Sequence, residues 1–87
     1  MELINLDDEN EVAEFIAKYG TTKGRRLANM LGIKGPGAVT QANWLSGYAW
    51  NKQTAINLRK RGQIETALIY EDICEGIYKK LAPEYKW

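Results

Sequence analysis

Glycine divides this chain into helix-length pieces. Gly20, Gly32, Gly47 and Gly62 each follow a stretch that reads as helical, and glycine is the residue best able to take the left-handed conformation that closes a helix. Before Gly20, Val12, Phe15, Ile16 and Tyr19 recur at helical spacing, and Leu6 followed by Asp7-Asp8-Glu9 supplies a start whose acidic first turn suits the helix dipole. Thr21 or Thr22 can cap a second helix running to Leu31, with Leu27, Ala28 and Leu31 on its buried side. Lys34-Gly35-Pro36-Gly37 reads as a turn, and Pro36 suits the first position of a third helix over residues 36–46 that Gly47 closes. Residues 47–50 then form a short connector, and Asn51 caps a fourth helix over residues 52–61. A fifth helix over residues 64–81 places Ala67, Tyr70, Cys74, Ile77 and Leu81 on one stripe, widened by Ile69 and Ile73, and Pro83 ends it. No stretch alternates apolar and polar residues as a strand would. The expected fold is all-α, a compact bundle of about five helices forming one domain over residues 1–87.

Composition removes whole classes of function. With 45% apolar and 26% charged residues the chain resembles an average globular domain and not a disordered one. No apolar run approaches the ~20 residues that span a bilayer, and the N-terminus is acidic where a secretory leader is basic, so a cytoplasmic protein with no membrane partner is expected. There is no histidine and one cysteine, Cys74. A four-ligand structural zinc site and any triad that needs an imidazole are therefore excluded, and paired carboxylates occur in no recognisable pattern. An enzyme is not expected, nor is a metal or a cofactor.

The net charge of +1 conceals a strong segregation. All eleven acids lie between Glu2 and Glu14 or between Glu65 and Glu84, whereas residues 15–64 hold nine cations and no acid. The cations are Lys18, Lys23, Arg25, Arg26, Lys34, Lys52, Arg59, Lys60 and Arg61. Such a centre is what a polyanion-binding face looks like, although two acidic helices around an ordinary solvated surface give the same count.

The segment 52–64 is the most informative. It opens with short polar and amide side chains and ends with a basic cluster, and Asn and Gln can meet adenine edges, Thr a thymine methyl, and Arg or Lys guanine or phosphate. Ala55 and Leu58 would hold the helix to the core while Lys52, Gln53, Ile56 and Asn57 face outward or to the flank. Lys52-Gln53-Thr54-Ala55-Ile56-Asn57-Leu58-Arg59-Lys60-Arg61-Gly62-Gln63-Ile64 resembles the recognition helix and following turn of the lambda-type phage repressor and Cro-like helix-turn-helix proteins. Leu27-Ala28-Asn29-Met30-Leu31-Gly32-Ile33 is similar to the first helix of that motif and its turn glycine. The resemblance implies a sequence-specific double-stranded DNA-binding protein, a transcriptional regulator of phage or prophage type, acting as a dimer on two half-sites. Lys52, Gln53, Thr54, Asn57 and Arg61 are then the base or groove contacts, and Arg25, Arg26, Lys34, Arg59 and Lys60 hold phosphates.

Eighteen residues, 34–51, separate the two stretches, where a helix-turn-helix turn has ~3–4. The alternative recognition helix, at Ala38-Val39-Thr40-Gln41, lies closer to Gly32 and also resembles the family. It carries no charge, and phosphate contacts supply much of the affinity for DNA, which favours the later segment. Gly32-Ile33-Lys34-Gly35-Pro36-Gly37 resembles the hairpin of helix-hairpin-helix modules, and its Gly32 to Gly35 spacing resembles the glycine loop of KH domains. A plain turn between helices explains it more simply. Tyr48, Trp44, Trp50 and Trp87 could stack on bases, with core packing the default for Trp44. The apolar stripe of the last helix could be core or the seam of a homodimer. The competing function is a helical protein-interaction module that binds an acidic partner through its basic face or its C-terminal helix.

Overall fold

The structure, a computed structural model, describes residues 4–87. Glu2, counted above among the acids, lies outside the described residues. The elements are α1 (Glu9–Tyr19), α2 (Gly24–Leu31), α3 (Ala38–Lys60), α4 (Ile64–Lys80) and a single 3-10 turn, η1 (Pro83–Tyr85). No strand occurs among the described residues, so the all-α class holds.

The helix count does not. The third and fourth helices expected from the sequence are one helix of 23 residues, α3, which runs through Gly47 and Asn51 without a break. Asn51 does not cap a new helix but donates its side-chain amide to the Gly47 carbonyl oxygen one turn back, at 2.7 Å. Thr54 does the same to Trp50, at 2.9 Å. Gly47 sits against α4, where a Cβ would lie 3.6 Å from the Ile77 side chain. Two helix starts also move. Pro36 precedes α3, whose N-cap is Gly37 with φ 79°, and α2 is capped by neither threonine but begins after Lys23 without a side-chain cap.

Other ends agree with the sequence. Asp8 caps α1 by accepting from the Asn10 and Glu11 N–H groups at 2.8 and 3.2 Å. Gly32 closes α2 with φ 74°, and the Ile33 N–H donates back to the Ala28 carbonyl at 2.9 Å. Gly62 follows α3 with φ 78°, a conformation that a β-branched residue reaches only with strain.

α3 is the axis, and the substantial helix contacts all involve it. α4 runs antiparallel to it: Arg59 meets Glu71, the Tyr48 carbonyl meets Cys74, Trp44 meets Lys80, and the Gln41 side chain accepts from the Ala82 N–H at 2.8 Å. α1 lies across α3, because the segment before it meets Tyr48 and Lys52 while Gly20 after it meets Trp50, all at one level of α3. α2 packs against the first turns of α3, its start tied by the Gly24 N–H donating to the Asn43 side chain at 3.2 Å. The core gathers Leu6, Val12 and Phe15 with Leu27, Ala28 and Leu31, and with Leu45, Ala49, Cys74 and Ile77. Tyr48, read as connector, is only 5% exposed. Of Leu58 and Ala55, expected to anchor that part of the helix, Leu58 is half-buried and Ala55 is buried, and neither belongs to that cluster.

Candidate nucleic-acid interface

Folding separates the central cations into two groups. Lys52, Arg59 and Lys60, on the second half of α3, are occupied. Lys52 is 3.7 Å from Asp7, Arg59 makes a two-point pair with Glu71 whose longer arm is 2.8 Å, and Lys60 pairs with Glu9. The Arg59 guanidinium holds the Glu71 carboxyl below its ordinary pKa, and Glu71 in turn raises that of Arg59. The acidic ends of the sequence thus fold back onto the basic centre. Lys18 is paired with Glu14 at 2.7 Å.

Lys23, Arg25, Arg26, Lys34 and Arg61 have no carboxylate within ion-pair distance among the described residues. Arg61 stands alone at the far end of α3. The other four lie around the first turn of α2 and the turn that leads into α3, and all four are exposed.

Between α2 and α4, the first half of α3 presents an exposed stripe. Thr40 and Asn43 are exposed, and Val39 and Trp44 are half-buried. The start of α2 borders the stripe at Asn43, and Lys80 borders it from the other side, its ammonium 4.7 Å from the centroid of the Trp44 ring. Lys80 was invisible to a reading of charge along the chain, because it belongs to the acidic C-terminal stretch; only the antiparallel return of α4 carries it here. The linker from α2 to α3 is the six residues 32–37, while residues 34–51 still separate the two stretches that resemble the helix-turn-helix motif.

The amide and hydroxyl groups of residues 53–57 make local contacts. Gln53 donates to the Asn57 side chain at 3.0 Å, an i, i+4 pair that gives Asn57 a partner in mid-helix, and Thr54 bonds the backbone. Asn57 itself is exposed.

A cleft of about 200 Å³ lies where the segment before α1 meets the α3–α4 pair, lined by Asp7, Tyr48, Lys52, Glu71, Cys74, Glu75 and Tyr78. Asp7 is its centre, accepting from the Tyr48 hydroxyl and, at 3.0 Å, from the Trp87 indole N–H. Burial works to raise the Asp7 carboxyl, but these two donors and Lys52 outweigh it and hold the pKa below its ordinary value. Burial pushes the Cys74 thiol up to about 11, so it is a poor nucleophile at neutral pH. Trp87, a stacking candidate, packs edge-on against Tyr48 and Tyr78 at 4.8 and 4.9 Å. The cleft is a structural junction between the chain ends, and among the described residues no group of three or more acids and cysteines is arranged to hold a metal ion. None of the described helices is long and apolar enough to cross a membrane.

No family model, curated protein or solved structure matches this chain.

Proposed function

We propose that the protein binds double-stranded DNA in a sequence-specific manner, as a regulator of transcription, with α2, the following turn and the first half of α3 as the contact surface. The observation that carries this reading is the placement of the uncompensated cations. Lys23, Arg25 and Arg26 open α2 and Lys34 lies in the turn after it, beside a helix stripe that bears no acid. Two helices joined by a short turn and flanked by phosphate-binding side chains is the arrangement by which a helix is laid in a major groove. Thr40 and Asn43 are then the side chains nearest base edges, with Arg25, Arg26 and Lys34 on phosphate. This favours the α2–α3 corner over Lys52, Gln53, Thr54, Asn57, Arg59, Lys60 and Arg61, the segment that charge along the sequence favours. Exposed ion pairs such as Lys60 with Glu9 are worth only ~0–1 kcal/mol, so these cations could be recruited at small cost, and they are the secondary surface.

The test is a titration of duplex DNA of mixed sequence at low salt, followed by selection of preferred sequences. Binding that weakens linearly with the logarithm of salt concentration is expected. No binding at low salt would overturn the reading.

A further inference from the structure

α4 has a face that its own fold leaves unused. Ala67, Cys74 and Ile77 go into the chain's interior, while Ile69 and Ile73 remain 60% and 42% exposed. Thr66, Ile69, Ile73 and Gly76 follow one another at spacings of three, four and three, the register of a seam between two helices. Gly76 is the second observation. A glycine inside a helix costs ~1 kcal/mol relative to alanine, and a Cβ at position 76 would meet nothing within 4 Å. Nothing within the fold therefore calls for glycine there. A backbone approaching closely from outside would.

The charges identify that backbone. α4 carries Glu65 in its first turn and Lys79 and Lys80 in its last, and among the described residues Lys79 is engaged only in an exposed pair with Glu75 at 3.6 Å. A second α4 laid antiparallel, with Ile69 opposite the second copy's Ile73, sets Thr66 opposite Gly76 and brings Glu65 to Lys79. Two-fold symmetry repeats every one of these contacts. Large residue meets large, small meets small and acid meets base toward the ends, while Asp72 lies near its own copy beside the axis. We infer that this face of α4 is the seat of a second copy of the chain, forming an antiparallel homodimer about an axis near residue 71. The dimer is independent of the DNA-binding reading, and either can fail without the other.

Sedimentation equilibrium of the full chain, without nucleic acid, tests it. A concentration-dependent dimer is expected. Ile69→Lys with Ile73→Lys should give a folded monomer, with helical circular dichroism unchanged because both side chains are exposed, whereas Met30→Lys, on α2 and also exposed, should leave the dimer intact. Glu65→Lys should weaken association and Lys79→Glu in the same chain should restore it. In a Cys74→Ala background, Asp72→Cys should cross-link to a covalent dimer on mild oxidation, because position 72 lies beside the axis, and Glu84→Cys should not. A monomer at every concentration, association unchanged by the isoleucine substitutions because an unrelated surface carries it, or failure of the charge exchange to restore association would overturn the inference.

Discussion

Trp50 closes over Gly20. Its indole N–H donates to the Gly20 carbonyl oxygen at 3.2 Å, and a Cβ on Gly20 would stand 3.1 Å from the Trp50 ring and 2.5 Å from the Ile16 carbonyl oxygen. Since Gly20 has φ −60°, which any residue can adopt, the need for glycine here comes from close approach and not from backbone conformation. Gly20→Ala should destabilise the fold by about 1–3 kcal/mol, the usual cost of overpacking, seen as a lower thermal midpoint.

Gly47→Ala should do the opposite. Position 47 is helical, and the added methyl would rest on Ile77 at an ordinary contact distance of 3.6 Å, so a gain of about 1 kcal/mol in helix propensity is expected. In a domain of this size that raises the thermal midpoint by roughly 4–8 °C. Gly62→Val should lower it, because φ is 78° there. A midpoint that falls for Gly47→Ala would mean that α3 is broken.

The three glycines show what the sequence does and does not carry. Gly32 and Gly62 end helices because they are left-handed, and the pattern of apolar residues before each predicts that. Gly47 has the same local surroundings, but the packing of Ile77 against it depends on tertiary structure, and the Asn51 amide that bonds back to it is read from the sequence equally well as a cap. For the same reason the basic centre reads as one patch of nine cations, while the partition into occupied and uncompensated groups depends on where Asp7, Glu9 and Glu71 arrive. The core positions on α1 and α2 were legible because each follows from the period of a single helix.

Asp7→Asn should show what the junction of the two end segments contributes. Its folded pKa is below the ordinary 3.8, so it adds stability that is present above that pH and is lost as the pH falls through the folded value. The side chain is half exposed, and solvent screening limits the effect to about 1 kcal/mol at neutral pH. Denaturant melts should find the variant less stable at pH 7, with the difference closing below about pH 4. A difference that persists at pH 2 would assign the role to hydrogen bonding alone.

Cys74 should resist thiol reagents at pH 8 in the folded chain and react promptly once unfolded, because burial both shields it and raises its pKa. With the folded value near 11 and the ordinary value 9.0, its contribution to stability is intact below pH 9 and declines between those two values. Cys74→Ala should flatten the alkaline slope in that interval.

Arg25→Ala with Arg26→Ala should reduce DNA affinity about equally for all sequences. Removing one phosphate-binding cation should lower the salt slope by roughly 0.9. Arg59→Ala with Lys60→Ala should change the slope less, since both side chains are held by carboxylates of the protein. Asn57→Ala should leave specificity intact, whereas a loss of about 1–3 kcal/mol for the specific site alone would move the reading head to the second half of α3.

α3, at 23 residues, is about 34 Å long and nearly matches the 41 Å long dimension of the molecule. Because α1, α2 and α4 each rest on it and hardly on one another, the protein is built as a hub with three spokes. No pair of spokes can survive the loss of the hub, so whatever couples one spoke to another passes through α3. Cutting the chain at Gly35 would leave α1 and α2 with nothing to fold against, while the longer fragment would keep the α3–α4 hairpin.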